Sequence, residues 1–92
     1  EPNKPVKRIE ALKAILISIN INNKTKYTTT ENPFWDITKN KWHYKVVMDG
    51  INNHIIKPSH NFYPNREINK AELISMLANT PNVKKLLDST FK

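Results

Sequence analysis

Cysteine is absent from this chain, and glycine occurs once in 92 residues. The first absence rules out a disulfide framework, a cysteine-ligated zinc site and a thiol nucleophile. The second rules out a glycine-rich phosphate loop and disfavours tight hairpins, which need residues at positive φ. No apolar run approaches the roughly 20 residues needed to cross a bilayer. The opening "EPNKPVK" lacks the apolar core of a signal peptide, so the chain reads as cytosolic, already processed, or cut from a longer protein. Ninety-two residues make one domain, able to bury roughly 60–65% of its unfolded surface around one small core.

What is present is positive charge and helical periodicity. The net charge of +7 favours an anionic partner such as nucleic acid, anionic lipid or acidic polysaccharide, without choosing among them. After an extended lead-in with Pro2 and Pro5, the residues Ile9, Leu12, Ile15, Leu16 and Ile19 recur at helical spacing between Lys7 and Ile19. Residues 20–33 are polar and β-branched and end in Pro33, which predicts a loop. A second helix is expected over 41–53, with a stripe of Tyr44, Val47, Met48, Ile51 and Ile55 flanked by Trp42 and Val46. Gly50 within it costs about 1 kcal/mol relative to alanine, which suggests a close helix–helix approach there. Asn69 is a good N-cap with Glu72 three residues on, so a third helix starts at that junction. Its expected buried face is Leu73, Ile74, Leu77 and Ala78. A fourth helix is expected over 82–92, with Pro81 near its first turn and Val83, Leu86, Leu87 and Phe91 as its apolar residues. The fold class is therefore all-α: about four short helices joined by Pro- and Asn-containing loops.

Two junctions share a pattern. Residues 6–10 read Val-Lys-Arg-Ile-Glu and residues 68–72 read Ile-Asn-Lys-Ala-Glu, each opening an apolar helix. Before the second copy stand "FWDI" at 34–37, Trp42 and Tyr44, the pair Ile55-Ile56, and Phe62-x-Pro64. That order resembles the S-layer homology module. Its repeats run Phe-x-Asp-Val, a Trp-containing helix ending in Gly-Ile-Ile, a loop with Phe-x-Pro, and Ile-Thr-Arg-Ala-Glu opening the next helix. On this resemblance residues 34–79 are one full repeat and residues 5–19 the closing helix of a preceding one, with 82–92 additional. The chain departs from the pattern at His54 for the helix-ending Gly, at Lys70 for Arg, at Lys7 for Thr, and in the glycine-free loop "PSHNF".

The resemblance implies a non-catalytic anchoring module at the cell surface, extracytoplasmic, binding an acidic cell-wall or peptidoglycan-linked polysaccharide. Such modules usually pack three repeats as a pseudo-trimer, so a chain of about one and a half is expected to be a fragment, to self-associate, or to complete its bundle with the fourth helix. Arg8 and Lys70 are then the cations offered to polymer carboxylates, facing the groove; each can equally be a solvated base or pair with a neighbouring acid. Trp35 and Tyr63 are candidates to stack on a sugar ring. Trp42 takes the module's core tryptophan position and is expected to be buried. Asp36 is a ligand candidate whose plainer role is to cap or brace the following helix. Glu10 and Glu72 read as helix-start residues.

Other chemistries find little support. His43 and His54 lie eleven residues apart, about 16 Å along a helix, and His60 brings no further ligands, so no metal site is expected. Glu67 and Glu72 have no companion nucleophile or oxyanion donor, and neither catalysis nor a cofactor is expected. Asn23-Lys24-Thr25 matches a glycosylation sequon. Two alternatives to polymer anchoring stay open: a small basic helical domain binding nucleic acid, and a protein–protein module packing against other envelope proteins without sugar binding. The first is disfavoured because the lysines are scattered rather than gathered on one helix.

Overall fold

A computed structural model of the chain describes residues 4–19, 31–38, 41–81, 83 and 84. Within them the fold is helical: α1 (Arg8–Ser18), α2 (Trp42–Asn52) and α3 (Lys70–Ala78). Three helices, not four, are therefore present among the described residues. The helix expected over 82–92 lies almost entirely outside them, although Pro81, Val83 and Lys84 are helical and the Lys84 N–H donates to the Thr80 carbonyl at 2.9 Å. Most of the loop expected over 20–33, with its sequon, also lies outside.

The core is the expected one along α1 and α2. Ile9, Leu12, Ile15 and Leu16 face Val46, Val47, Met48 and Ile51, and Phe34, Ile37, Ile55, Phe62 and Met76 close the cluster. Phe34 meets the ring of Phe62 edge to face at 5.6 Å. Asn32 shapes the segment that delivers Phe34: its side-chain Oδ1 accepts the Phe34 N–H at 3.0 Å and its side-chain Nδ2 donates to the Ile37 carbonyl at 2.8 Å. Gly50 marks the close approach that its position in a helix suggested. A Cβ built there would lie 3.1 Å from Leu12 Cδ2 and 3.2 Å from Ile56 Cγ1.

The end of α2 follows the Schellman pattern. The His54 N–H donates to the Ile51 carbonyl at 3.0 Å and the Ile55 N–H to the Gly50 carbonyl at 2.9 Å. That geometry forces a left-handed residue, and His54 has φ 61° where glycine would be unstrained. The turn swings Ile55 into the core, where it is 1% exposed.

Two expectations about burial are corrected. On α3 the residue inside is Met76, with Leu73 half-buried, whereas Ile74 and Leu77 are 54% and 41% exposed. The helical period was right and the face is turned: Leu73 and Ala78 are half-buried as expected, but the side of α3 that meets the core runs through Met76 rather than through Ile74 and Leu77. Trp42 is 52% exposed. It opens α2, beyond the reach of the core, and is covered by Lys13, whose Nζ lies 5.0 Å from its ring centroid, and by the edge of His43 at 4.4 Å.

Substituting His54→Gly removes the left-handed penalty without deleting a buried side chain, and is expected to raise stability by about 1 kcal/mol, read as a higher urea midpoint at unchanged slope. Gly50→Ala is expected to show none of the roughly 1 kcal/mol gain that alanine brings to an uncrowded helix, because Leu12 is fully buried and cannot retreat. Its midpoint should not rise; a clear increase would show that α1 and α2 are looser than described.

Candidate functional site

Two helix starts lie side by side. At α3, Asn69 Oδ1 accepts the Glu72 N–H at 2.8 Å while Glu72 Oε1 accepts the Asn69 N–H at 3.1 Å, a complete capping box. At α1 only half of that box exists: Glu10 Oε1 accepts the Lys7 N–H at 2.9 Å, and a lysine side chain has no acceptor to return the bond. The start of α1 is held instead by bonds across the fold. The first N–H groups of α1, at Arg8 and Ile9, donate to the carbonyls of Arg66 and Pro64 at 2.9 and 3.0 Å, satisfying donors that every helix start leaves over. The Ile68 N–H donates to the Val6 carbonyl at 2.8 Å, and Lys7 and Glu67 form an antiparallel bridge. The lead-ins of α1 and α3 are thereby laced together in opposite directions.

This lacing carries the Arg8 side chain into the fold, 13% exposed. Its Nε–H donates to the Phe62 carbonyl at 2.8 Å, its guanidinium lies 4.8 Å from the centre of the Phe62 ring, and Nη1 is bonded to Glu72 Oε2. Burial lowers the Arg8 pKa from its ordinary value while Glu72 pulls it back up; an arginine starts so high that it stays charged. Arg66 reaches the same Glu72 oxygen through Nη2 and lies over the Tyr63 ring at 5.4 Å, with 53% of its side chain exposed.

Asp36 fixes the segment between them. Its two carboxylate oxygens accept the N–H groups of Phe62 at 2.8 Å and Tyr63 at 2.7 Å. It therefore braces the 60–66 loop rather than the following helix, a correction to the sequence reading. Tyr63 is held with φ 58°, and its ring is 52% exposed. Beside it the Trp35 N–H donates to the His60 carbonyl at 2.7 Å, and the Trp35 ring stacks on His60 at 5.0 Å with 12° between planes.

These parts border a groove of about 570 Å³ between the 55–66 segment and α3, lined by Arg8, Arg66, Lys57, Tyr63 and Glu72, with Ser59, Asn61, Ser75 and Asn79 completing its polar wall. Of the sequence candidates, Arg8 and Tyr63 line it and Asp36 stands behind it. Trp35 is outside its lining, 79% exposed. Lys70 does not face it. Lys70 borders a second, more apolar groove of about 510 Å³ beside Val6, Ala14, Ile15 and Leu73. Arg66 and the second role of Glu72 were not foreseen; nothing local marks an arginine six residues before a capping glutamate as its partner. Among the described residues no group of three or more His, Asp or Glu is placed to hold a metal ion. Comparison with protein-family models, curated proteins and solved structures finds no match for this chain.

Arg8→Ala would remove the guanidinium from the Phe62 carbonyl and leave Glu72 Oε2 to Arg66 alone, and is expected to cost about 2–3 kcal/mol. Arg8→Lys should recover less than half of that, since an ammonium cannot serve two acceptors through a fixed planar fork. Urea unfolding of the three chains gives both numbers.

Proposed function

We propose that the protein is a non-catalytic cell-envelope module that binds an acidic wall polysaccharide in the groove beside Arg8, Arg66 and Tyr63. The observation that carries this reading is the coincidence of three features in one groove. Two guanidiniums and Lys57 stand there against the carboxylates of Glu72 and, behind the groove, Asp36, which leaves one positive charge for a sugar acid. An exposed tyrosine offers a flat face for the C–H side of a sugar ring. Serine and asparagine side chains line the wall where hydroxyls need partners. The left-handed backbone at Tyr63 costs about 1–2 kcal/mol, and Asp36 supplies two charge-assisted bonds that offset it. Strain maintained in this way is common at ligand sites.

Packing against another envelope protein is the second reading, favoured by the exposed Ile74 and Leu77 on α3. Duplex nucleic acid fits less well, because exposed cations such as Lys13, Lys45, Lys57 and Lys70 are spread over all three helices and a loop.

The test is co-sedimentation with purified wall sacculi, before and after acid extraction of their secondary polymer. Binding should require the polymer, weaken about tenfold in Arg66→Ala for the loss of one charge-assisted bond, and be unaffected by Lys70→Ala. A folded chain that sediments with neither preparation rules out the polymer reading and leaves protein packing.

A further inference from the structure

Both guanidiniums that the groove offers are bonded to the same atom, Glu72 Oε2, while Oε1 of that residue caps its own helix. A sugar carboxylate entering the groove would turn to the same two guanidiniums. Arg8 is almost enclosed and has a second acceptor in the Phe62 carbonyl, whereas Arg66 is half in water. The local balance is Arg8, Arg66 and Lys57 against Glu72 and Asp36, so one further carboxylate is attracted, yet Glu72 already holds one N–H of each arginine and repels an anion that comes to the others.

We propose that Glu72 is an internal stand-in for the ligand's carboxylate, holding Arg8 and Arg66 together and competing with the ligand for them. This rests on the reading that the groove takes a carboxylate-bearing saccharide. The competition sets specificity. A single small carboxylate gains too little to displace or share Oε2, so acetate-sized metabolites are refused. A polymer that also engages Tyr63 and the polar wall delivers its carboxylate at high effective concentration and overcomes the competitor. The groove is thereby tuned to the polymer rather than to free acid groups.

Glu72→Gln separates this role from the structural ones. Glutamine keeps the acceptor for the Asn69 N–H, so the α3 capping box survives, and it keeps the side chain's shape while removing the charge. Glu10→Gln is the matched control: it occupies the same capping position in α1, loses the same unit of charge, and does not line the groove. The probe is monomeric D-galacturonate, followed through the side-chain Nε–H NMR signals of Arg8 and Arg66. The Arg66 signal of the unsubstituted chain and of Glu10→Gln should move little, while Glu72→Gln should show a saturable shift at about tenfold lower concentration. Equal or weaker binding by Glu72→Gln overturns the proposal and makes Glu72 a positioning group. An equal gain in Glu10→Gln also overturns it, because the effect is then one of overall charge.

A second measurement avoids the substitution, should Glu72→Gln fold poorly. In the unsubstituted chain, saturating tetragalacturonate should shift the Glu72 carboxyl carbon signal as its arginines are taken. A signal that stays in place while the Arg66 Nε–H signal moves overturns the proposal. Failure of the wall reading is distinct. A chain that ignores sacculi but gains galacturonate binding in Glu72→Gln keeps the stand-in and loses the polymer, whereas one that sediments with sacculi and gains nothing keeps the polymer and loses the stand-in.

Discussion

Arg8 is the side chain on which the arrangement of α3 depends. A nine-residue helix is too short to persist alone in water, and α3 has Met76 as its one fully buried side chain, worth about 1.5–3 kcal/mol. That is little with which to hold a helix in a fixed orientation. Leu73 adds a half-buried contact, and the rest comes from polar contacts: the backbone lacing of residues 6–9 with 64–68, the Asn79 amide on the Ile55 carbonyl at 3.1 Å, and the Arg8 guanidinium joining the Phe62 carbonyl to Glu72. The α1–α2 pair is different in kind. It is a packed apolar contact, close enough at Gly50 that the helices meet through a bare Cα. The protein thus has a firm two-helix core and a third helix attached largely by directional bonds.

The two left-handed residues among those described, His54 and Tyr63, divide along the same line. His54 bends the chain out of α2 so that Ile55 turns inward, and its strain serves packing. Tyr63 is strained to the opposite effect. Asp36 draws the Phe62 and Tyr63 N–H groups to one carboxylate, so that Phe62 goes into the core at 2% exposure while the next ring stays outside. A turn that buries one aromatic and presents its neighbour supplies both a core residue and an exposed aromatic face.

What could be read from the sequence was whatever is decided within one helical turn or one face. The Asn69–Glu72 box is a contact between residues three apart, and the apolar stripes of α1 and α2 appear as periodicity because each packs on the other. Gly50 was legible because a glycine inside a helix needs a reason. The Arg8–Glu72 bond spans 64 positions and has no local mark. The matching of the two junctions was itself misleading about Lys70. Arg8 and Lys70 open their helices at equivalent places, but the 60–66 loop crosses the start of α1, whereas the lead-in of α1 crosses the start of α3. Equivalent positions therefore meet different neighbours, and only one reaches the groove. Ile74 and Leu77 failed for a related reason: periodicity says that a helix has an apolar side, not that the rest of the chain covers it.

Net charge was the weakest guide of all. The +7 of the whole chain is spread over surfaces that salt would screen within about 8–10 Å, and it says nothing of which anion is preferred. Discrimination arises where water is thin and geometry is fixed, which is the case where Arg8 is nearly enclosed and shares a carboxylate with Arg66. The two arginines are unequal there. Arg8 has its bonds fixed by the fold and cannot change without disturbing α3; Arg66, half in water over the Tyr63 ring, can change with little loss of stability. The enclosed arginine supplies position and the exposed one supplies adaptability. If the proposed groove takes an anion, a change of ligand would therefore act first on Arg66 and its surroundings, and last on Arg8, whose bonds hold α3.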